Sequence, residues 1–172
     1  MKSIYYWSPC LDKVGTVNST INSAISLSKY YKSDFKVYLI NSCGEWDDYE
    51  EIFSSNGVNI INFKLKYYKY LPKKGYFSSR FSYIIIFLLS LFPLLKILKK
   101  NKPDFIIVHL ITSLPLFLLN FFKFETEFIL RISGYPRLNI FRKFFWKSIS
   151  KKIYRITFPT NDLISQFKLL NI

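Results

Sequence analysis

Six short runs rich in Ile, Val, Phe and Tyr punctuate the chain and leave longer stretches with helical spacing between them. The runs Ile4–Trp7, Lys36–Ile40, Val58–Phe63, Phe105–Val108, Phe128–Ile132 and Arg155–Phe158 read as strands. The stretches Val17–Tyr31, Asp47–Ser55, Ser82–Lys100, Ser113–Phe122, Leu138–Lys151 and Asn161–Leu170 read as helices. A strand that is apolar at nearly every position, such as Phe105-Ile106-Ile107-Val108, has no polar face to turn to water and suits a sheet covered on both sides. Strand–helix alternation is how a parallel sheet of that kind is wired. The expected fold is a Rossmann-like, doubly wound α/β domain of about six strands with helices on both faces.

At 172 residues the chain suffices for one core and is short for two, so residues 1–172 are expected to form a single domain. Lys and Arg number 25 against 11 Asp and Glu, a net charge of +14. Hydrophobic residues make up 50% of the chain, which excludes a disordered basic tail, because such tails lack the apolar surface that offsets ordering entropy. Cys10 and Cys43 are the only cysteines, no Cys/His cluster has metal-ligand spacing, and Met1-Lys2-Ser3-Ile4-Tyr5 does not open a secretory signal. A reducing, cytoplasmic setting is expected, with no metal and no resident cofactor.

In a doubly wound sheet ligands bind beyond the carboxyl ends of the strands, so chemistry is sought there. Those positions hold Ser8 to Thr16, Asn41 to Asp48, His109 to Ser113, Ser133 to Arg137 and Pro159 to Asp162. The first loop has one glycine, Gly15, and no Gly-x-Gly-x-x-Gly, which removes the main support for a nicotinamide or flavin enzyme. Its amides open onto a helix N-terminus at Thr16 or Asn18, either as an anion or polyhydroxyl subsite or as an ordinary capped turn. His109 follows an apolar strand and serves there as a general base, an acceptor-binding donor or a structural histidine. Glu45, Asp47 and Asp48 form the main acidic group; they bind a hydroxylated ligand or a metal, or Asp47 caps a helix while Glu45 is solvated. Arg131 ends an apolar strand and needs either an anionic ligand or an ion-pair partner.

Between Lys64 and Arg80, Lys64, Lys66, Lys69, Lys73, Lys74 and Arg80 interleave with Tyr67, Tyr68, Tyr70, Tyr76 and Phe77. Tyr83–Leu98 follows, apolar apart from Ser90 and Lys96 and interrupted by Pro93. It falls short of the roughly 20 residues of a bilayer span, so it reads as a buried or interfacial helix. A basic, aromatic segment binds nucleic acid, lies on an anionic membrane, or is simply a solvated loop. The adjoining apolar helix favours the membrane, with Lys66, Lys69, Tyr70, Lys73, Lys74 and Arg80 as contacts, and makes nucleic acid the weaker partner.

Taken in order, Tyr6-Trp7-Ser8-Pro9, Lys13-Val14-Gly15-Thr16, Gly44-Glu45-Trp46, Lys102-Pro103-Asp104 with its adjoining strand and His109, and Arg131-Ile132-Ser133-Gly134 give the chain a resemblance. It resembles the N-terminal, acceptor-side domain of family-4-like bacterial glycosyltransferases of the GT-B fold, over almost its whole length. The resemblance implies a retaining sugar transfer from a nucleotide-sugar donor to a glycan or lipid-linked acceptor in cell-surface polysaccharide synthesis, at the inner face of the plasma membrane. It makes His109 the catalytic candidate and Lys13, Gly15, Thr16, Glu45, Trp46, Arg131, Ser133 and Gly134 the acceptor-binding set. The donor-binding domain of that family, with its paired glutamates and phosphate-binding Arg and Lys, has no counterpart before Ile172. The expectation is a truncated or split form, inactive alone, whose partner is a C-terminal donor-binding domain or a separate subunit. A non-catalytic module binding a membrane surface or polyanion is the alternative.

Overall fold

A computed structural model describes residues 1–11, 15–63, 66–73, 76–109, 113–135 and 139–168. Six strands are present: β1 (Lys2–Trp7), β2 (Phe35–Asn41), β3 (Asn59–Asn62), β4 (Phe105–Val108), β5 (Glu127–Arg131) and β6 (Arg155–Thr157). They pair in the order β3-β2-β1-β4-β5-β6, every pair parallel. The strands are wired by α1 (Gly15–Tyr30), α2 (Glu50–Ser55), α3 (Tyr76–Lys100), α4 (Leu114–Phe121) and α5 (Ile140–Ile149), and α6 (Asn161–Lys168) comes after β6. This is the Rossmann-like doubly wound fold, and each strand and helix expected from the residue pattern has its counterpart.

Alternate strand residues face opposite ways, which divides the core in two. Ile4, Tyr6, Val37 and Leu39 turn toward α1 and α2, where they meet Val17, Ile21, Ala24 and Phe53. Tyr5, Trp7, Ile106, Val108, Phe128 and Leu130 turn the other way, onto Leu94 and Leu98 of α3, Leu116 of α4, Trp146 of α5 and Leu163 of α6. No strand keeps a solvated face along the sheet centre, which is why these strands are so uniformly apolar.

Two helices depart most from the sequence expectation, each for a local reason. The helix expected at Asp47–Ser55 divides into a 3-10 turn at Asp47–Tyr49 and α2. The helix expected at Ser82–Lys100 starts at Tyr76, because the Ser82 hydroxyl donates to the Pro72 carbonyl at 2.6 Å and anchors the first turns to the preceding connection. It also runs through Pro93, whose missing N–H leaves only the Leu89 carbonyl without a helical donor. The helix-start residue Leu138 and helix-end residue Leu170 lie outside the described residues.

Lys102-Pro103-Asp104, part of the resemblance, lies at the amino end of the sheet, opposite the expected ligand edge. Lys102 takes a positive φ of 44° in the turn from α3 to β4. Asp104 Oδ2 accepts from the Ser3 backbone N–H at 2.7 Å and the Ser3 hydroxyl at 3.0 Å, locking the start of β1 to β4. The Ser3 backbone hydrogen bond holds this carboxyl below its ordinary range. A depressed carboxyl stabilises the fold above its unfolded pKa, and that contribution disappears as pH falls through the folded value. Asp104→Asn should therefore cost about 1 kcal/mol in urea unfolding at neutral pH, with the deficit relative to wild type closing on acidification; an equal deficit at all pH values would contradict this role.

Candidate functional site at the strand-order reversal

Going from β4 to β5 the chain moves outward on one side of β1, and from β1 to β3 on the other, so the reversal lies between β1 and β4. The pairing register sets a row of residues across the carboxyl edge there. Asn41 pairs with Asn62, and Arg131 with Thr157. Continuing the β1–β2, β1–β4 and β4–β5 ladders to the next row places Ser8 beside Asn41 and His109, and His109 beside Arg131. The preceding row is Ile61, Ile40, Trp7, Val108, Leu130 and Ile156. One step along the strands therefore converts an entirely apolar row into an entirely polar one, on the face that carries α1.

The β2–β3 end of that row is internally satisfied. Asn41 Nδ2 donates to Asp47 Oδ1 and Asn62 Oδ1, both at 2.7 Å, and its Oδ1 accepts from the Gly44 and Trp46 amides at 3.1 and 3.2 Å. Buried Glu45 accepts from the Ser42 amide at 3.1 Å and hydroxyl at 2.7 Å through Oε1, and from the Cys43 amide at 2.7 Å through Oε2. Asp47 Oδ2 pairs with Lys66 at 3.0 Å. These carboxylates therefore tie down the loop after β2: Glu45 is not solvated, and Asp47 does not cap α2 but braces Asn41. Trp46 is fully buried, edge-on to Tyr49 and Phe53. Expected as acceptor contacts, Glu45 and Trp46 instead set the shape of this wall from below. Among the described residues no cluster of His, Cys, Asp and Glu has metal-holding geometry.

The β1–β4–β5 end is less completely paired among the described residues. Thr20 Oγ1, fully buried on α1, lies 2.9 Å from the Thr16 carbonyl, 3.2 Å from Ser8 Oγ and 3.4 Å from His109 Nε2. A hydroxyl has a single proton, and the shortest contact, to the Thr16 carbonyl, claims it. His109 Nε2 then carries the proton it shares with Thr20, and the Nδ1 lone pair is left as an acceptor. Nδ1 is buried with no partner among the described residues. Burial, and secondarily the positive charge of Arg131, push the His109 imidazole down to about 4. A neutral imidazole at physiological pH is a weak base and a good hydrogen-bonding group, which favours holding a hydroxyl over taking its proton.

Arg131 is half-buried, and the ion pairs among the described residues, Lys66–Asp47 and Lys102–Glu125, leave it without a carboxylate. Of the two sequence readings of Arg131, ion pair or anionic ligand, the ion pair is absent among the described residues. Tyr6, on the next inward row, is pushed up to about 12 by burial while its hydroxyl lies 2.8 Å from Ser23 Oγ, so it stays a neutral phenol. Gly15 starts α1 and Gly134 follows β5, and a Cβ on either meets nothing within 4 Å. Thr16 lies within the first turn of α1, which begins at Gly15. Ser133 and Gly134 are exposed just past β5. Lys13, as well as Leu110, Ile111, Thr112, Pro136 and Arg137 in the flanking loops, lies outside the described residues.

Thr20, which orients His109, escapes a reading of strand ends because it sits inside a helix; its signal is a hydroxyl on the same helical face as Val17 and Ala24. Compared with known proteins, the chain matches no family model, and no curated protein matches it.

As the only histidine, His109 supplies a single imidazole resonance. Its NMR titration should have a midpoint near 4, and Arg131→Gln should raise that midpoint by the smaller part of the shift, leaving it below the ordinary imidazole value because burial persists. Since the unfolded chain binds this proton and the folded one does not, stability should fall between pH 6.5 and 4 by on the order of 3 kcal/mol. His109→Gln should remove that part of the slope, and a midpoint near 6.5 in wild type would refute the buried neutral imidazole. Separately, Glu45→Ala should cost about 2–3 kcal/mol in urea unfolding by leaving the Ser42 and Cys43 amides unpaired; a change under about 0.5 kcal/mol would deny Glu45 its bracing role.

Proposed function

We propose that this chain is the acceptor-binding half of a GT-B glycosyltransferase, holding a glycan or lipid-linked acceptor at the β1–β4 reversal while a nucleotide-sugar donor is held by a C-terminal donor-binding domain or a separate subunit. The observation that carries the reading is Arg131, a half-buried guanidinium with no carboxylate among the described residues, next to an imidazole whose Nδ1 has no partner among them. A guanidinium binds a phosphate or carboxylate through paired donors, and a neutral imidazole accepts from a hydroxyl. An anionic, polyhydroxylated ligand such as a sugar linked to lipid pyrophosphate offers both. Gly15 and Gly134 stand at the carboxyl ends of β1 and β5 on the same edge, and a Cβ on either meets nothing within 4 Å.

In this reading His109 and Arg131 position the acceptor, and sugar transfer in polysaccharide synthesis takes place only when the donor side is joined. The chain alone is then inactive. The reading also takes an anionic membrane at the inner face of the plasma membrane as partner, through the connection between β3 and α3. There Tyr67, Tyr68 and Leu71 turn inward, with the Tyr68 hydroxyl donating to the Leu11 carbonyl at 3.0 Å, while Lys69 and Tyr70 turn out. Lys66 is paired with Asp47, Lys73 lies 3.7 Å over the Tyr68 ring, Arg80 is exposed on α3, and Lys74 lies outside the described residues.

The test tracks the His109 resonance and calorimetric heats during titration with a short-chain polyprenyl-pyrophosphate sugar. The sugar-linked lipid should bind and shift the resonance, and Arg131→Gln should weaken binding about tenfold or more. Failure of Arg131→Gln to weaken it would displace the site, and absence of any binding would leave the membrane or polyanion module as the better account. Robust sugar transfer by the purified chain alone would overturn the half-enzyme part.

A further inference from the structure

Two of the helices on the face away from α1 expose ridges of large apolar side chains. On α3 the residues Phe77, Phe81, Ile84, Leu88 and Phe92 succeed one another at intervals of three or four and share one side of the helix. Phe77 is 82% and Phe92 76% exposed. The ridge is about 22 Å long at the helical rise. On α5, Ile140 and Phe141 are each 84% and Phe144 78% exposed, while Trp146 and Ile149 of the same helix are buried in the core.

The topology brings the two ridges to one end of the domain. In a parallel sheet each connecting helix leaves the carboxyl edge of one strand and returns to the amino edge of the next. The apolar starts of α3 and α5 therefore lie at the carboxyl edge, on either side of the buried helix α4, and their lysine-bearing ends, with Lys96, Lys99 and Lys100 on α3 and Lys147 on α5, lie at the other edge. Around the apolar ends stand Lys69, Tyr70, Arg80, Tyr135, Arg142 and Lys143, all exposed. Aromatic and aliphatic side chains bordered by cations match a surface that is apolar beneath and anionic at the top, which is an anionic bilayer. The chain's charge of +14 strengthens that complementarity.

The length and composition of Phe77–Lys100 are those of a membrane-crossing helix. Here, however, Ile86, Leu94 and Leu98 are buried, and α3 is the crossover that joins β3 to β4 on opposite sides of β1 and β2. Pulling α3 through a bilayer would strip the sheet of that cover, so the helix lies along the lipid surface instead.

We infer that α3 and α5 together form a two-ridge docking face for an anionic lipid bilayer, with Ile140, Phe141 and Phe144 as its second anchor. The inference rests on the membrane part of the proposed function and adds α5 to it as a second anchor. A single ridge lets the domain roll about its own axis; a second ridge across α4 fixes the roll.

The test is sedimentation of the full chain with vesicles of phosphatidylcholine containing about a third phosphatidylglycerol. Wild type should bind, and Phe141→Ser/Phe144→Ser should weaken partitioning about tenfold or more with an unchanged melting temperature, since neither side chain is packed in the core. Phe144→Trp should be quenched by brominated lipids, which gives a readout independent of affinity. Wild-type binding that survives the α5 double substitution, or an unquenched Trp, overturns the inference while leaving the membrane reading intact. No vesicle binding by wild type overturns both, and a concentration-dependent dimer that is lost in the α5 variant would assign the ridge to a second copy instead.

Discussion

β1 is paired on both of its edges, with β2 on one side and β4 on the other, and the chain must cross over it to continue from β3. That crossing governs the site and the surface alike. It sends α3 to the face opposite α1, so that the two faces of the sheet acquire different covers. It also puts the reversal of strand order between β1 and β4, where ligands bind in folds of this kind. At that reversal the ladders place Ser8 and His109, with Asn41 and Arg131 as neighbours.

The polar row across that edge shows how a fold separates bracing from availability. At Asn41 every side-chain polar group has a protein partner, and Glu45 and Asp47 complete a network that holds one wall in place. At His109 and Arg131 donors and acceptors remain without protein partners among the described residues. Burial acts on the two differently. An imidazole loses its charge readily when desolvated, whereas a guanidinium does not deprotonate in a protein and must find acceptors. A neutral acceptor beside a permanent cation is the outcome, and it suits a ligand with hydroxyls and negative charge.

The same crossing explains the odd surface. α3 spans the width from β3 to β4 and is long because the crossover is long; its inner side is held by Leu94 and Leu98, and its outer side is left to whatever surrounds the domain. An outer side built of Phe, Ile and Leu is costly in water, since exposed apolar area of this extent is normally covered. In the proposed setting lipid supplies that cover, and the basic residues nearby supply the attraction.

Periodicity alone carries the strands and helices, because an apolar run of four residues in a parallel sheet and a helical stripe are local patterns that tertiary packing here reinforces. Arg131 and His109 are legible as site candidates for the same reason: each ends an apolar strand, and strand ends line one edge. Glu45 and Trp46 are not legible as bracing and core residues, since a loop acid and a loop tryptophan look alike whether they face a ligand or the interior. Asp104 precedes β4 and so belongs to the amino edge by its order in the chain, but its hold on Ser3 joins residues 101 positions apart that no local pattern links. Nor does local pattern reveal that Thr20 meets His109 across 89 positions of sequence, or that the ridges of α3 and α5 start at the same end of the domain. The pattern that marks a strand or a helix is local to the chain; which polar atoms end up partnered, and which apolar ones end up bare, depends on the order in which strands pair, as β1 does with β4 about a hundred positions on, and that order is a property of the folded whole.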